Sequence, residues 1–232
     1  MKLAALVSGG KDSIYAAYLM KKQGHEIKYL LSMTPERTDS YMFHHPNIHL
    51  VDIIAKVMNI PLIKGTTKGE KEKELDDLED LIVKVKHQVD GIVTGAIASN
   101  YQKERIDAIC QKHGLKSIAP LWGKNPKEYL EELLENNFSV IITAVAADGL
   151  DATWLGKAID KKAIDGLEKI NKNIGIHMAG EGGEFETLVL DCPMYDKKLT
   201  VVSAEKIWSK GTGIYKIDEV KLVDKNYICT DE

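Results

Sequence analysis

Hydrophobic positions in the first half of the chain alternate between two spacings. Short apolar runs that end at glycine or polar residues predict buried strands, and apolar residues three and four positions apart predict helices. The predicted strands cover residues 3–7, 26–33, 60–63, 91–94 and 118–121. The predicted helices cover residues 13–24, 51–58, 70–81 and 101–113. Strands that alternate with helices of this length indicate a parallel sheet with helices on both faces.

After residue 122 the pattern changes. Asn125-Pro126 predicts the start of a helix, because Asn can cap free backbone amides and Pro is tolerated at the first helical position. The further predicted elements are a strand at 140–146, a helix at 160–173, and strands at 187–190, 199–202 and 220–223. We therefore predict an α/β fold with two domains, a parallel-sheet domain over residues 1–122 and a smaller α+β domain over residues 123–232.

Composition narrows the class of protein. The chain has 232 residues, of which 44% are hydrophobic and 28% charged, as is typical of globular proteins. Its net charge of -4 provides no overall positive field for a nucleic acid, so no direct nucleic-acid partner is expected. The apolar runs are too short for a signal peptide or a membrane span. Cys110, Cys192 and Cys229 match no metal or disulfide pattern, so we expect a cytoplasmic protein with reduced thiols and no membrane partner.

The sequence S-G-G-K-D-S at residues 8–13 lies between the first predicted strand and the first predicted helix. Glycines there turn backbone N–H groups toward a ligand, and a helix N-terminus favours an anion, so phosphate is the expected ligand. Asp12 stands where a Walker A loop has a hydroxyl group, which disfavours simple γ-phosphate transfer. The alternative is a glycine turn in which Asp12 or Ser13 only caps the helix.

This pattern resembles the pyrophosphate loop (PP-loop) of the N-type ATP pyrophosphatases, which cleave ATP between its α and β phosphates. The resemblance implies that the loop holds pyrophosphate, that Lys11 supplies charge, and that Asp12 orients the loop or a magnesium ion. The candidate catalytic residues are Lys11, Asp12 and Ser13. The candidate nucleotide-binding residues are Ser8, Gly9, Gly10, Lys11, Asp12, Ser13, Ser32, Met33 and Gly95.

Two further motifs carry polar side chains. The sequence D-S-Y-M-F-H at residues 39–44 follows the second predicted strand, at the sheet edge where open α/β folds bind ligands. A histidine metal site at residues 44–49 is disfavoured, because Pro46 interrupts the helix that such a site needs. Residues 180–187 contain three glycines and three glutamates just before an apolar strand. They form either a cation-binding surface or a solvated turn.

Along nearly its whole length the chain resembles the diphthine-ammonia ligases. The resemblance rests on residues 8–13, 39–44, 95–105, 119–122, 145–150 and 181–191. It implies a Rossmann-like sheet of the HUP type, and ATP- and Mg²⁺-dependent amidation of diphthine on translation elongation factor 2. Ammonium is the nitrogen donor, an acyl-adenylate is the intermediate, and diphthamide, AMP and pyrophosphate are the products. The chain departs from the family pattern at His45-Pro46 and at Lys157, where arginine is expected.

The resemblance also implies an acceptor site. Diphthine carries a quaternary ammonium, which favours carboxylates and aromatic faces. The candidate acceptor-binding residues are Asp39, Tyr41, His44, Ser99, Tyr101, Gln102, Arg105, Glu181, Glu184 and Glu186. Arg105 could instead form only an exposed ion pair with Glu104. The alternative functions are another adenylating enzyme with this loop, acting on tRNA or a small carboxylate, and a nucleotide-binding module without turnover.

Overall fold

The computed structural model describes residues 1–35, 47–68 and 73–225. The first half forms a five-stranded parallel sheet in the order β3-β2-β1-β4-β5. Its strands are β1 (Lys2–Leu6), β2 (Glu26–Pro35), β3 (Leu62–Thr67), β4 (Gly91–Val93) and β5 (Lys116–Ile118). Its helices are α1 (Lys11–Lys22), α2 (Val51–Met58), α3 (Lys73–Val83) and α4 (Asn100–Lys112).

Alternate residues of the central strand face different helices. Leu3 and Ala5 of β1 belong to the cluster that contains Ile14 of α1, whereas Ala4 belongs to the cluster that contains Leu78 of α3. Successive side chains of a strand point to opposite faces of its sheet, so this alternation places helices on both faces. The predicted Rossmann-like α/β architecture is confirmed.

The second half forms a separate four-stranded antiparallel sheet in the order β7-β6-β9-β8. Its strands are β6 (Ser139–Val145), β7 (Phe185–Asp191), β8 (Lys197–Ser209) and β9 (Thr212–Asp224). Two helices, α5 (Pro126–Glu135) and α6 (Lys161–Ile174), belong to this half. The additional α+β part is therefore confirmed.

The two sheets share one hydrophobic core. A single cluster of buried residues includes Leu3 of β1, Ile142 of β6 and Leu188 of β7. Between the sheets, the ring of Tyr15 on α1 lies 5.6 Å from that of Tyr129 on α5. The halves are thus packed against each other, and the domain boundary near residue 122 stays a prediction.

Four predicted strands were placed or sized wrongly. The strand predicted at 118–121 is β5 (Lys116–Ile118), because the pairing with β4 selects polar Lys116 and Ser117 over the apolar residues that follow. The strand predicted at 60–63 is β3 (Leu62–Thr67), which continues through polar residues beside the end of β2. The runs at 199–202 and 220–223 belong to one long hairpin, whose exposed alternating polar residues concealed its length.

None of the helices in the described parts of the chain is long and apolar enough to cross a membrane.

Candidate active site

The loop of residues 8–13 joins β1 to α1 at the carboxyl edge of the parallel sheet. Gly9 has φ +87°, a conformation that favours glycine, and the next residue is extended before the helix begins. The hydroxyl of Ser13 donates to the Gly10 carbonyl at 3.1 Å and accepts the Ser8 N–H at 3.3 Å. The loop is therefore closed on itself, with the N-terminus of α1 behind it, and such a helix end favours an anion.

A cavity of about 530 Å³ lies over this loop. Its walls come from both halves of the chain: the loop itself, the end of β2, the segment before α4, and residues 180–187 before and within β7. Cavities of this size are typical of small-molecule sites. The cavity lies at the carboxyl ends of parallel strands, which is where open α/β folds bind ligands.

The second sheet holds the loop in place. Val189 N–H donates to the Gly9 carbonyl at 3.0 Å, and Lys11 N–H donates to Thr187 Oγ1 at 3.1 Å. The ammonium of Lys11 also donates to the Ala179 carbonyl at 2.6 Å. These three bonds make the conformation of the loop depend on residues more than 160 positions away.

Lys11 is buried more deeply than a residue that only supplies charge to a ligand. Its exposure is 2%, and besides Ala179 its Nζ contacts Asp12 Oδ2 at 3.0 Å. The rings of Phe185 and Tyr129 have their centres 5.2 and 5.9 Å from the ammonium. A buried ammonium needs such partners, because burial without them is strongly unfavourable. In this structure, Lys11 links the loop to the second sheet.

The carboxylate of Asp12 is also bonded by the second half. The hydroxyl of Tyr129 donates to Asp12 Oδ1 at 2.8 Å, while 30% of the Asp12 side chain remains exposed to the cavity. Burial raises the pKa of Asp12, and Lys11 and Tyr129 partly oppose this effect by favouring the carboxylate. Burial, with the Asp12 charge beside it, raises the pKa of Tyr129 well above its ordinary value, so its hydroxyl keeps its proton.

Sequence analysis overlooked Tyr129, although a signal existed. Tyr129 precedes Leu130 and lies one turn before Leu133, so it belongs to the buried face of α5. A buried tyrosine hydroxyl usually has a hydrogen-bond partner, which could have prompted a search for one. The pattern alone could not identify that partner as Asp12.

Glu181 connects the glycine-rich loop of the second half to the start of α4. Its Oε1 accepts the backbone N–H groups of Ile97, Ala98 and Ser99 at 3.1, 3.0 and 2.9 Å. A negative charge is favourable at a helix N-terminus, so Glu181 stabilises this wall of the cavity while its side chain lines it. Ser99 caps the same helix by accepting Gln102 N–H at 3.4 Å.

The other two glutamates of this motif lie in different places. Glu186 lines the cavity over the loop. The carboxylate of Glu184 instead accepts the N–H groups of His177 at 2.7 Å and Gly182 at 2.8 Å, which closes its own loop. Glu184 lines a second cavity, of about 560 Å³, between α5 and α6. The structure therefore brings two of the three glutamates to the first cavity.

The other predicted residues divide into three groups. Those that line the first cavity are Ser8, Gly10, Lys11, Asp12, Ser13, Met33, Gly95, Ser99, Tyr101 and Gln102. The second group does not line this cavity and consists of Gly9, Ser32 and Arg105. Gly9 and Ser32 are buried beside the cavity. The guanidinium of Arg105 lies 3.4 Å from the centre of the Tyr101 ring. Asp39, Tyr41 and His44 lie outside the described residues.

This geometry defines an α/β protein with a glycine-containing loop after its first strand and a second sheet that completes the cavity over that loop. The family model of the diphthamide synthase N-terminal domain matches residues 1–117, and that of the C-terminal domain matches residues 125–223. The chain belongs to the diphthamide synthase family, as the sequence motifs indicated.

Diphthine–ammonia ligases of two species support this membership. The chain is 39% identical over 228 residues to the diphthine–ammonia ligase of Bos taurus, and 38% identical to that of Homo sapiens. Each match covers 89% of this chain and 85% of the relative. A solved structure described as a predicted subunit of tRNA methyltransferase from Methanocaldococcus jannaschii aligns with a TM-score of 0.44 at 17% identity, covering 83% of this chain and 98% of that one.

Proposed function

We propose that this protein uses ATP and ammonium to convert diphthine on translation elongation factor 2 into diphthamide, with release of AMP and pyrophosphate. Membership of the diphthamide synthase family supports the class of reaction. The observation that carries the proposal is the cavity in which the loop of residues 8–13 faces Glu181 and Glu186 from the second half. This cavity can hold a nucleotide and a cationic acceptor side by side.

The proposed reaction has two steps. The diphthine carboxylate forms a bond to the α phosphorus of ATP, and the bond to the leaving pyrophosphate breaks. Ammonia then attacks the acyl carbon, AMP leaves, and one proton is released. Backbone N–H groups of the loop and the N-terminus of α1 stabilise the negative charge that develops on pyrophosphate.

Magnesium is proposed as the metal ion of this reaction. Mg²⁺ usually takes one or two carboxylates and completes its shell with phosphates and water. The described residues contain no group of three or more histidine, cysteine, aspartate or glutamate side chains that could hold a metal by themselves. Asp12 fits the smaller requirement, because its carboxylate is partly exposed to the cavity. A magnesium ion there would neutralise charge on the phosphates.

The acceptor is proposed to bind at the opposite wall. A quaternary ammonium has no N–H to donate, so it is recognised by negative charge and aromatic faces. Glu181 and Glu186 supply carboxylates to this cavity, and Tyr101 supplies an aromatic ring. We assign the trimethylammonium group of diphthine to this region.

The test measures AMP and pyrophosphate release from ATP and magnesium with diphthine-bearing elongation factor 2, with and without ammonium. We expect AMP release to require the modified factor, and amide formation on the factor, followed by mass spectrometry, to require ammonium as well. Asp12→Asn should abolish both. Asp52→Asn is the matched control, since Asp52 is exposed and, among the described residues, its carboxylate pairs with Lys64 on the surface.

Two outcomes would overturn the proposal. AMP release that does not depend on the modified factor would indicate another acceptor, such as tRNA or a small carboxylate. Absence of AMP under every condition, with ATP still bound, would indicate a nucleotide-binding module without turnover.

A further inference from the structure

The carboxylate of Asp12 is fixed from two sides. Its Oδ2 is 3.0 Å from the ammonium of Lys11, its neighbour in the chain. Its Oδ1 accepts the hydroxyl of Tyr129 at 2.8 Å, across a sequence separation of 117 residues. A residue of the phosphate loop is thus oriented by a helix of the second half.

Tyr129 is itself held rigidly. Its exposure is 0%, and its ring packs against that of Tyr15 with centres 5.6 Å apart. The helix that carries it starts at Pro126, and the Asn125 side chain caps it by accepting two backbone N–H groups at 2.9 and 3.2 Å. Side chains in a close-packed core have little freedom to change rotamer, so the Tyr129 hydroxyl is a fixed donor.

The Asp12 side chain, by contrast, borders open space. With 30% of it exposed to the cavity, packing alone does not select one orientation of the carboxylate. A hydrogen bond from a fixed donor restricts that orientation and leaves the second lone pair of Oδ1 available. Lys11 binds the other oxygen, Oδ2, so each carboxylate oxygen has its own buried donor and only the bond from Tyr129 fixes Oδ1.

We propose that Tyr129 is a positioning residue: its hydroxyl sets the orientation in which the Asp12 carboxylate meets the magnesium–nucleotide ligand of the loop. The inference rests on the proposed function, because it concerns the same cavity. It adds that the second half of the chain contributes to the nucleotide side of the site as well as to the acceptor side.

The test compares Tyr129→Phe with Tyr15→Phe. Both changes remove one hydroxyl from a buried ring, but the Tyr15 hydroxyl bonds Glu132 at 3.1 Å and not Asp12. Loss of a hydrogen bond to a charged group corresponds to about a ten- to hundred-fold effect. We expect Tyr129→Phe to lower kcat about ten- to hundred-fold while KM for the modified elongation factor changes little. Tyr15→Phe should leave both kcat and KM unchanged.

Two further measurements distinguish the positioning role of Tyr129 from a purely structural role. In an Asp12→Asn background, adding Tyr129→Phe should weaken magnesium-dependent nucleotide binding no further. This binding is measured with an ATP analogue that has a methylene bridge between the α and β phosphorus atoms, with magnesium and with EDTA. In the otherwise unchanged chain, Tyr129→Phe should weaken the magnesium-dependent binding about tenfold, and Tyr15→Phe should not.

The outcomes separate this inference from the proposed function. If the unaltered protein releases no AMP with the modified factor, the proposed function fails, and the binding comparison still decides the role of Tyr129. If Tyr129→Phe matches Tyr15→Phe in magnesium-dependent binding, or if its effect adds fully to that of Asp12→Asn, the inference is wrong. Thermal melts of all variants show whether each has folded. If Tyr129→Phe has not folded, Asp12→Asn takes its place, and unchanged magnesium-dependent binding of the analogue by that variant would overturn the inference.

Discussion

Replacing Gly95 with alanine should displace the loop of residues 8–13. A Cβ at this position would lie 2.6 Å from the carbonyl carbon of Asp12 and 2.7 Å from the backbone nitrogen of Ser13. Ordinary contact between such atoms begins near 3.4 Å, so the two segments must separate by about 0.8 Å. The obstructing atoms are backbone atoms of the first turn of α1, so no side-chain rotation can relieve the overlap.

The magnitude follows from two effects. Overpacking of this kind costs about 1–3 kcal/mol of folding free energy. A displacement of about 0.8 Å also exceeds the range over which hydrogen bonds to a phosphate keep good geometry, so ATP affinity should fall at least about tenfold, or 1.4 kcal/mol. Denaturant unfolding measures the first effect, and calorimetric titration with the methylene-bridged ATP analogue measures the second.

Gly114→Ala is the matched control. A Cβ at Gly114 meets no atom within 4 Å, but its φ of +68° makes alanine costly by about 1–2 kcal/mol. This control should lose stability while ATP affinity stays unchanged. If Gly95→Ala bound the analogue as tightly as the unaltered protein, the close packing of Gly95 against the loop would not control nucleotide binding, and the reasoning would be refuted.

Four further predictions concern other contacts. Glu181→Ala should destabilise the fold by about 1–3 kcal/mol and speed hydrogen exchange of the three backbone N–H groups that its carboxylate accepts. Lys11→Met should cost about 2–4 kcal/mol in denaturant unfolding, because it leaves a buried carbonyl without its donor. Asn125→Ala should cost about 1 kcal/mol by the same measurement, through loss of the helix cap. Burial raises the pKa of Cys110 to about 11 and that of Cys192 to about 12, so neither thiol should react with a water-soluble thiol reagent at about pH 8. Since these raised values favour the neutral folded thiols, stability should fall as the pH rises above about 9. Unchanged stability in any of the first three variants would contradict the contact that the variant removes. Rapid labelling of either Cys110 or Cys192 would contradict the burial of that thiol.

Elements with strong local signals were predicted well. The helix predicted at 51–58 is α2 (Val51–Met58), and α5 begins where Asn125-Pro126 indicated. Strands whose ends are set by pairing were predicted less well. The end of β3 is polar and is a strand because it pairs with the end of β2, a partner that periodicity cannot reveal.

The candidate site shows the same division. The loop at residues 8–13 was recognisable because its glycines, its helix start and the preceding strand are neighbours in sequence. The three glutamates of residues 180–187 were recognisable as a candidate cation-binding surface. The sequence could not show which of them would face the cavity. In the folded chain, the carboxylate of Glu181 accepts backbone N–H groups at the start of α4, whereas that of Glu184 accepts backbone N–H groups of its own loop.

Reading the residues in order was enough to predict the alternation of strands and helices, the loop at residues 8–13 and the family, because each depends on residues close together in the chain or on their order. Which distant groups meet depends on the folded chain. Folding pairs Asp12 with Tyr129 and Lys11 with the Ala179 carbonyl, because packing the two sheets on one core brings α5 and the segment before β7 to the loop. A buried polar group must find a partner, but which partner it finds depends on the packing of the whole chain.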